Sequence, residues 1–430
     1  MDPEREFAEY VASLAKTLEH ADRVEPLEDY CRGLMLSGDR KSVEPMAALV
    51  APQRASAKHQ SLHHFVAKAQ WSDAAVLAEV RRQVLPGIGA IEAWIVDDTG
   101  YPKKGGHSVG VARQYCGQLG KQDNCQVAVS VSVANEQASL PIAYQLYLPR
   151  EWAEDISRRK KAEVPAQIRF ATKSELALEQ LRAARAAEVP AGVVLADAGY
   201  GNDTDFRLGI SALGMTYAVG IQGSTTVWGE GHEPLPPRAY TGHGFPGKRL
   251  RRNRTHQPID VNTLAHELPE RAWQRIRWRE GESGPLASRF ARVRVRAAHR
   301  DHVYPEEWLV IEWPLSETEP TKYWLSTLAP NCSFKELVRL IKLRWRIERD
   351  YQELKQELGL GHYEGRNWRG FHHHASLSIA AYGFLMRTRL TRGVKKNSAI
   401  RSRAPLLRLP PRPKNFIPRG SPRASRTPHE

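Results

Sequence analysis

An α/β fold is predicted for this chain: a mixed sheet flanked by helices, interrupted by a β-rich insertion, behind a helical N-terminal domain and ahead of a disordered basic tail. Three observations carry that expectation. Apolar residues recur at three- and four-residue spacing up to about Leu85. From Ala93 onward, period-two runs give way to alternating helical and strand-like segments. From about Ser224 to Lys322 the texture changes again, to strands separated by proline and glycine turns.

Residues 1–88 are expected to be helical, with apolar stripes in FAEYVASLAKTL and AAVLAEVRRQVL. SLHHFVAKAQWSDAAVLAEVRRQV reads as helix, turn and helix, a pattern that more often serves packing than DNA reading. Within 89–223, strands are predicted at Ala93 to Val96, Gln126 to Ala134 and Ile142 to Leu148, and a helix over Lys173 to Ala187. GVVLAD then gives a buried-type strand ending at Asp197, a helical piece follows Asn202, and MTYAVGI gives another strand. The block 224–322 holds FARVRVRAA, EEWLVIEW and the basic cluster GKRLRRNR at Gly247 to Arg254.

Residues 323–386 contain NCSFKELVRLIKLRWRIERDYQELKQELGLG. Ser333 and Glu336 form a capping box and Gly359 supplies the stop, so one helix of about 25 residues is predicted. On a uniform wheel Leu340, Leu343, Ile347, Leu354 and Leu358 make its core stripe, while Arg344, Glu348, Tyr351 and Lys355 make a second stripe beside it. The tail, 387–430, is rich in Pro, Arg and Ser and is expected to be disordered in isolation.

The 430 residues, 41% apolar and 26% charged, are those of a globular protein of two to three domains. The formal net charge is +15, and His362 to Glu430 alone carry 15 Lys/Arg against 2 Asp/Glu. Such a balance points to an acidic partner, nucleic acid ahead of a membrane surface. The apolar run Ala375 to Met386 is too short to span a bilayer, and MDPEREFAEY lacks the parts of a signal peptide, so a cytoplasmic location is expected. Cys31, Cys116, Cys125 and Cys332 form no C-x-x-C pair and read as reduced, buried thiols.

Two aspartates sit where strands end: Asp98 after AWIVD, and Asp197 before the glycine-rich AGYGND. Each alone is as readily a turn or helix cap. Together with the helix-borne Glu348, in a basic chain, they fit metal chemistry on phosphodiesters, in which two Mg²⁺ ions held by carboxylates promote an in-line displacement. Asp97 is the alternative first carboxylate, because a strand presents neighbours on opposite faces. GHGFPGK resembles a phosphate loop, but Arg249 stands where Ser or Thr is needed, so nucleotide binding is excluded. His372, His373 and His374 point in different directions on a helix and are expected to face solvent or DNA.

WIVDDTGYPKKGGHSVGVARQYCGQLGKQDNCQVAVS, VLADAGYGND and LRWRIERDYQELKQELGLGHYEGR resemble the catalytic blocks of bacterial insertion-sequence transposases of the DDE superfamily, in the group marked by Tyr-x2-Arg-x3-Glu-x6-Lys. The resemblance makes Asp98 (the aspartate followed by threonine), Asp197 and Glu348 the catalytic and metal-binding carboxylates, with Arg344 and Lys355 at the pattern's cationic positions. The pattern's tyrosine falls on Ile341. It implies a ribonuclease-H-like core split by a β-strand insertion, two Mg²⁺ ions with Mn²⁺ as substitute, and a homodimer that binds terminal inverted repeats and target DNA. On that basis Lys103, Lys104, Lys248, Arg249, Arg251 and Arg252 are expected at the DNA backbone, with Trp273 and Trp278 as possible stacking platforms. Two other functions compete: a non-catalytic DNA-binding descendant, and a ribonuclease-H-like structure-specific nuclease.

Overall fold

The structure, a computed structural model, describes residues 2–240, 245, 248–281, 284–300 and 302–393. Five helices precede the first strand: α1 (Pro3–Ala15), α2 (Val24–Met35), α3 (Val43–Val50), α4 (Ala55–Ala67) and α5 (Asp73–Ile88). Side-chain caps begin two of them, Asp2 accepting from the Glu4 amide and Ser72 from the Ala75 amide. The predicted helix–turn–helix is α4 and α5.

The central strands are β1 (Ala93–Pro102), β2 (Ala112–Cys116), β3 (Lys121–Ala134) and β4 (Ser139–Leu146). After two short helices, α6 (Arg150–Ala153) and α7 (Ile156–Lys161), come α8 (Lys173–Ala186), β5 (Val193–Ala196), α9 (Ala198–Gly201), α10 (Thr204–Ala212) and β6 (Tyr217–Ile221). A capping box of Thr172 and Glu175 starts α8. In the sheet β3 lies between β4 and β1, antiparallel to both, while β5 and then β6 run parallel to β1 on its other side.

The β-rich segment consists of β7 (Thr226–Trp228), β8 (Ile259–Asp260), α11 (Val261–Glu267), β9 (Gln274–Gly281), β10 (Gly284–Ala297) and β11 (Glu306–Trp313). The chain returns through β12 (Lys322–Ser326), which pairs with β6. These strands therefore extend the same sheet, giving twelve strands in all among the described residues. Trp273 packs edge-on against Trp313 at 5.3 Å, and Trp278 against Phe290 at 5.6 Å, so both tryptophans are packing residues.

The long helix of the sequence reading is interrupted. α12 (Phe334–Lys342) and α13 (Trp345–Gln352) are followed by a π-helical turn at Glu353–Glu357. At the break the amides bond three residues back: Leu343 to Leu340, Arg346 to Leu343 and Ile347 to Arg344, at 3.0, 3.1 and 3.2 Å. The expected leucine stripe is buried throughout but divided. Leu340, Leu343 and Ile347 pack with Ile95 and Leu195 on one face of the sheet, whereas Leu354 and Leu358 join the main core.

The last helix, α14 (Trp368–Thr391), runs past the expected boundary at Met386; beyond Gly393 the basic tail lies outside the described residues. It packs against α5, α2, α4 and β4. Enclosed on all sides, it buries His372, His373 and His374, which corrects their expected exposure. His372 donates through Nδ1 to the Trp368 carbonyl and accepts the Leu146 amide at Nε2. His374 accepts from Tyr30 and donates to the Gly359 carbonyl. His373 lies between the Val66 and Trp71 carbonyls and stacks on Trp71 at 3.5 Å. Burial pushes His373 and His374 down to about 4. The four cysteines are free thiols, three of them buried and Cys332 half-buried.

Candidate active site

Side-chain alternation along β1 sorts the two adjacent aspartates. Trp94 and Val96 belong to the main core, and Ile95 to the smaller core under α12 and α13. By that period Asp97 continues the α12/α13 face and Asp98 the opposite one. β5 alternates in the same way: Val194 and Ala196 join the main core, Val193 and Leu195 the smaller one. The parallel register pairs Ile95 with Leu195. Asp97 stands two residues further along β1 and Asp197 two residues past Leu195, just beyond the end of β5, and the period carried on from each strand assigns both to the α12/α13 face.

The hydrogen bonds agree. Arg344, in the turn between α12 and α13, donates through Nη1 to Asp97 at 2.9 Å and through Nη2 to Glu348 at 3.0 Å. One guanidinium thus joins the first-strand carboxylate to the helix-borne one, with Asp97 15% and Glu348 65% exposed. Asp97 also accepts the Asp98 amide at 2.8 Å. Burial pushes the Asp97 carboxyl up to about 7; Arg344 pulls it back, and the charges of Asp197 and Asp98 push it further up. Beneath it Tyr351 shares a 2.7 Å hydrogen bond with Ser130, the β3 partner of Asp97.

Asp98 turns to the first residue of α8, taking a 2.7 Å bond from Lys173. Asp197 caps α9, accepting the Gly199 amide at 2.9 Å. The glycine-rich turn is held by backbone contact: a Cβ at Gly201 would lie 1.9 Å from the Gly220 carbonyl oxygen of β6. Lys355 reaches back to β1, donating to the Gly100 carbonyl at 2.8 Å and to Gln118 at 3.3 Å, and burial draws its ammonium down to about 8. Lys103 donates to the Tyr363 carbonyl at 2.8 Å, while Lys104 is exposed. Ile341 is buried in the smaller core, out of reach of any backbone phosphate.

The basic cluster of the β-rich segment lies apart from these residues in the sequence. Lys248 and Arg249 are exposed, Arg251 donates to the Pro236 carbonyl at 2.8 Å, and Arg252 lies over Trp228 at 5.8 Å. Sequence reasoning missed Lys173. Its signal is a lysine in the first turn of a capped helix, where the helix dipole disfavours a cation unless a carboxylate faces it.

Among the described residues no three His, Cys, Asp or Glu side chains lie close enough together to hold a metal ion. The donor chemistry nevertheless suits a hard divalent cation. Asp97 and Asp98 lie in the middle of β1, which runs on to Pro102, and not at its end as expected. The charges of Asp98 and Asp197 repel that of Asp97, and a guanidinium bridges Asp97 to the exposed Glu348.

Residues 13–285 match the family described as DDE superfamily endonuclease. Glu348 lies beyond the matched residues. The chain is also 32% identical over 188 residues to the probable transposase for insertion sequence element IS701 of Microchaete diplosiphon. That alignment covers 43% of this chain and 45% of the relative, so it spans less than half the length of that protein. With most of the chain inside the family match, the β1 aspartates and Asp197 included, the chain belongs to the DDE superfamily of endonucleases.

Proposed function

We propose that this protein is an insertion-sequence DNA transposase, which cuts at the inverted-repeat ends of its element and joins the freed 3′ hydroxyl to target DNA. The observation that carries it is the Arg344 guanidinium, which ties Asp97 of β1 to Glu348, with Asp197 directly after the neighbouring parallel strand β5. A strand order of β4, β3, β1, β5, β6, antiparallel and then parallel about β1, supports a ribonuclease-H-like core. On this view 89–223 and 323–386 are the two parts of that core, 224–322 is an insertion that lengthens its sheet, and 1–88 is an end-binding region.

Asp197, Glu348 and one of the two β1 aspartates would hold divalent ions, Mg²⁺ or Mn²⁺. We favour Asp97 on its face and on its link to Arg344. Asp98, which precedes the threonine of the family motif, is the alternative. When bound, such ions lower the pKa of an attacking water or hydroxyl and stabilise the leaving oxygen. The chain's own residues do the rest. Arg344 exchanges its carboxylate contacts for phosphate oxygens, freeing Glu348. Lys355, anchored on β1 and still protonated at neutral pH, offers a cation at the scissile strand. Lys103, Lys104 and the insertion's Lys248, Arg249, Arg251 and Arg252 neutralise phosphates further out. Two copies would synapse two ends.

Cleavage of DNA bearing the inverted repeats that flank the coding sequence, with Mg²⁺ or Mn²⁺, tests the proposal. Asp197→Asn, Glu348→Gln and Asp97→Asn are expected to abolish cutting, and Asp98→Asn to leave measurable activity. The reverse result for the two neighbours moves the site to Asp98, and full activity in Asp197→Asn or Glu348→Gln removes that residue from it.

A further inference from the structure

A cavity of about 200 Å³ lies between the N-terminal helices and residues 363–365, which lead into α14. Ser42, the residue before α3, lines it. A serine in that position ordinarily caps its helix, but Pro45 stands at the third helical position, where the hydroxyl would look for an amide. The Ser42 side chain accordingly makes no cap and no other hydrogen bond among the described residues, although the residue is only 6% exposed. The amides of Val43 and Glu44, which open α3, have no acceptor among the described residues either.

The same cavity is lined by His59 and His63, one turn apart on α4 with ring centroids 6.2 Å apart. Neither imidazole has a hydrogen-bond partner among the described residues. Lys41 also lines it. This lysine is 2% exposed and donates to the Leu34 and Leu36 carbonyls at 2.5 Å, closing α2, yet no carboxylate lies within ion-pair distance of it among the described residues. A buried ammonium without a counter-charge favours an anion beside it. The two carboxylates in the lining, Glu44 and Glu364, are both exposed, and Glu364 is already paired with Arg40. A hydroxyl, two helix-end amides and two imidazoles thus face one small space as donors without acceptors. Phosphate oxygens are the acceptors that such a helix start takes.

The cavity is also joined to β1. Lys103, just past that strand, donates to the Tyr363 carbonyl in the cavity wall at 2.8 Å, and the exposed Lys104 follows it. We propose that the cavity is a phosphate-binding site for the DNA backbone, with Ser42 and the α3 amides donating to one phosphate oxygen and His59 and His63 to others. The assignment rests on reading the chain as a DNA-cutting enzyme. Lys103 and Lys104 then link this phosphate to the β1 aspartates along one length of DNA.

The test is binding of inverted-repeat duplex to the full chain in EDTA, read by fluorescence anisotropy, for the wild type, Ser42→Ala and the double variant His59→Gln/His63→Gln. Ser42→Ala is expected to weaken binding about tenfold, the scale of a lost hydrogen bond to a charged group. Its melting temperature should match the wild type, because the hydroxyl caps nothing. The histidine double variant is expected to weaken binding at least as much. Full DNA affinity in both variants overturns the site, and so does a lowered melting temperature in Ser42→Ala with DNA binding retained, which makes the serine a structural cap. Stabilisation of the wild type by inorganic phosphate that is lost in Ser42→Ala, with DNA affinity unchanged, overturns the DNA assignment in favour of a free anion. Cleavage with Mg²⁺ separates this site from the wider reading: a wild type that binds the duplex without cutting it refutes the transposase and leaves the site standing, whereas one that binds no duplex overturns both.

Discussion

Lys342 donates to Glu312 at 2.5 Å, joining α12 to β11 of the β-rich segment. The pair is nearly dry, the lysine side chain 14% and the glutamate 3% exposed, and Ser288 takes the other Glu312 oxygen at 2.8 Å. Lys342 also lies over the Trp278 ring at 4.4 Å. Lys342→Met alone should strand a buried carboxylate and destabilise the protein by about 3 kcal/mol, the low end for breaking a buried pair. Adding Glu312→Gln should recover much of that loss, which chemical denaturation of the single and double variants will measure.

Gly201→Ala places a methyl group 1.9 Å from the backbone oxygen of Gly220, where no side-chain rotation relieves the clash. The turn carrying Asp197 must then lift from β6. A loss of roughly 2–4 kcal/mol is expected, in the range of severe overpacking and broken close approaches. Cleavage activity should fall further than stability, because Asp197 moves with the turn.

Acid should loosen the seam between α14 and the N-terminal helices. His374 is held at about 4 in the fold, and burial lowers His372 as well. Between the unfolded value of about 6.5 and the folded one the unfolded chain binds more protons, so stability falls as pH drops through that window. Melting temperatures measured from pH 7 to pH 4.5 should decline, and His374→Gln should shrink the decline. An equal slope in the variant would assign it to other groups.

Asp97→Asn makes the opposite prediction at the other end of the scale. The folded carboxyl, at about 7, stays protonated where the unfolded one, near 3.9, is already charged. Stability therefore decreases as pH rises from 4 to 7 and is lowest, for this group, above 7. At pH 8 the neutral asparagine should melt a few degrees higher than the wild type, with no such gain at pH 5. A gain in stability alongside a loss of cutting is the expected mark of a strained functional carboxylate.

The strands around Asp98 and Asp197 were legible because their apolar periods are local properties of the chain, but the first was expected to end at Val96 and runs on to Pro102, held there by pairing with β3, which local pattern does not show. The β-rich character of 224–322 was legible for the same reason, though not its pairing into one sheet through β12 and β6, which depends on residues far apart in sequence. The break at Leu343 to Ile347 was not legible. Nothing between Leu340 and Leu354 is a helix breaker, and the tightened turn arises because one stripe of leucines is shared by two cores. The histidines misled because the wheel treats a helix as having a wet side, whereas α14 has neighbours on every side. The faces taken by Asp97 and Asp98 follow from which core each neighbouring residue joins, and periodicity alone carries no such label.

Tyr10, near the start of the chain, donates to the Ala380 carbonyl of α14 at 2.8 Å, and Tyr30 meets His374 at 2.9 Å. The N-terminal helices thus find an apolar partner in the last helix described. During translation α1 to α5 must wait, with their inner faces uncovered, until residue 391 has left the ribosome. Closure over so long a separation makes folding late and slow. A chain lacking α14 therefore leaves those inner faces uncovered and is expected to be a substrate for chaperones and proteases.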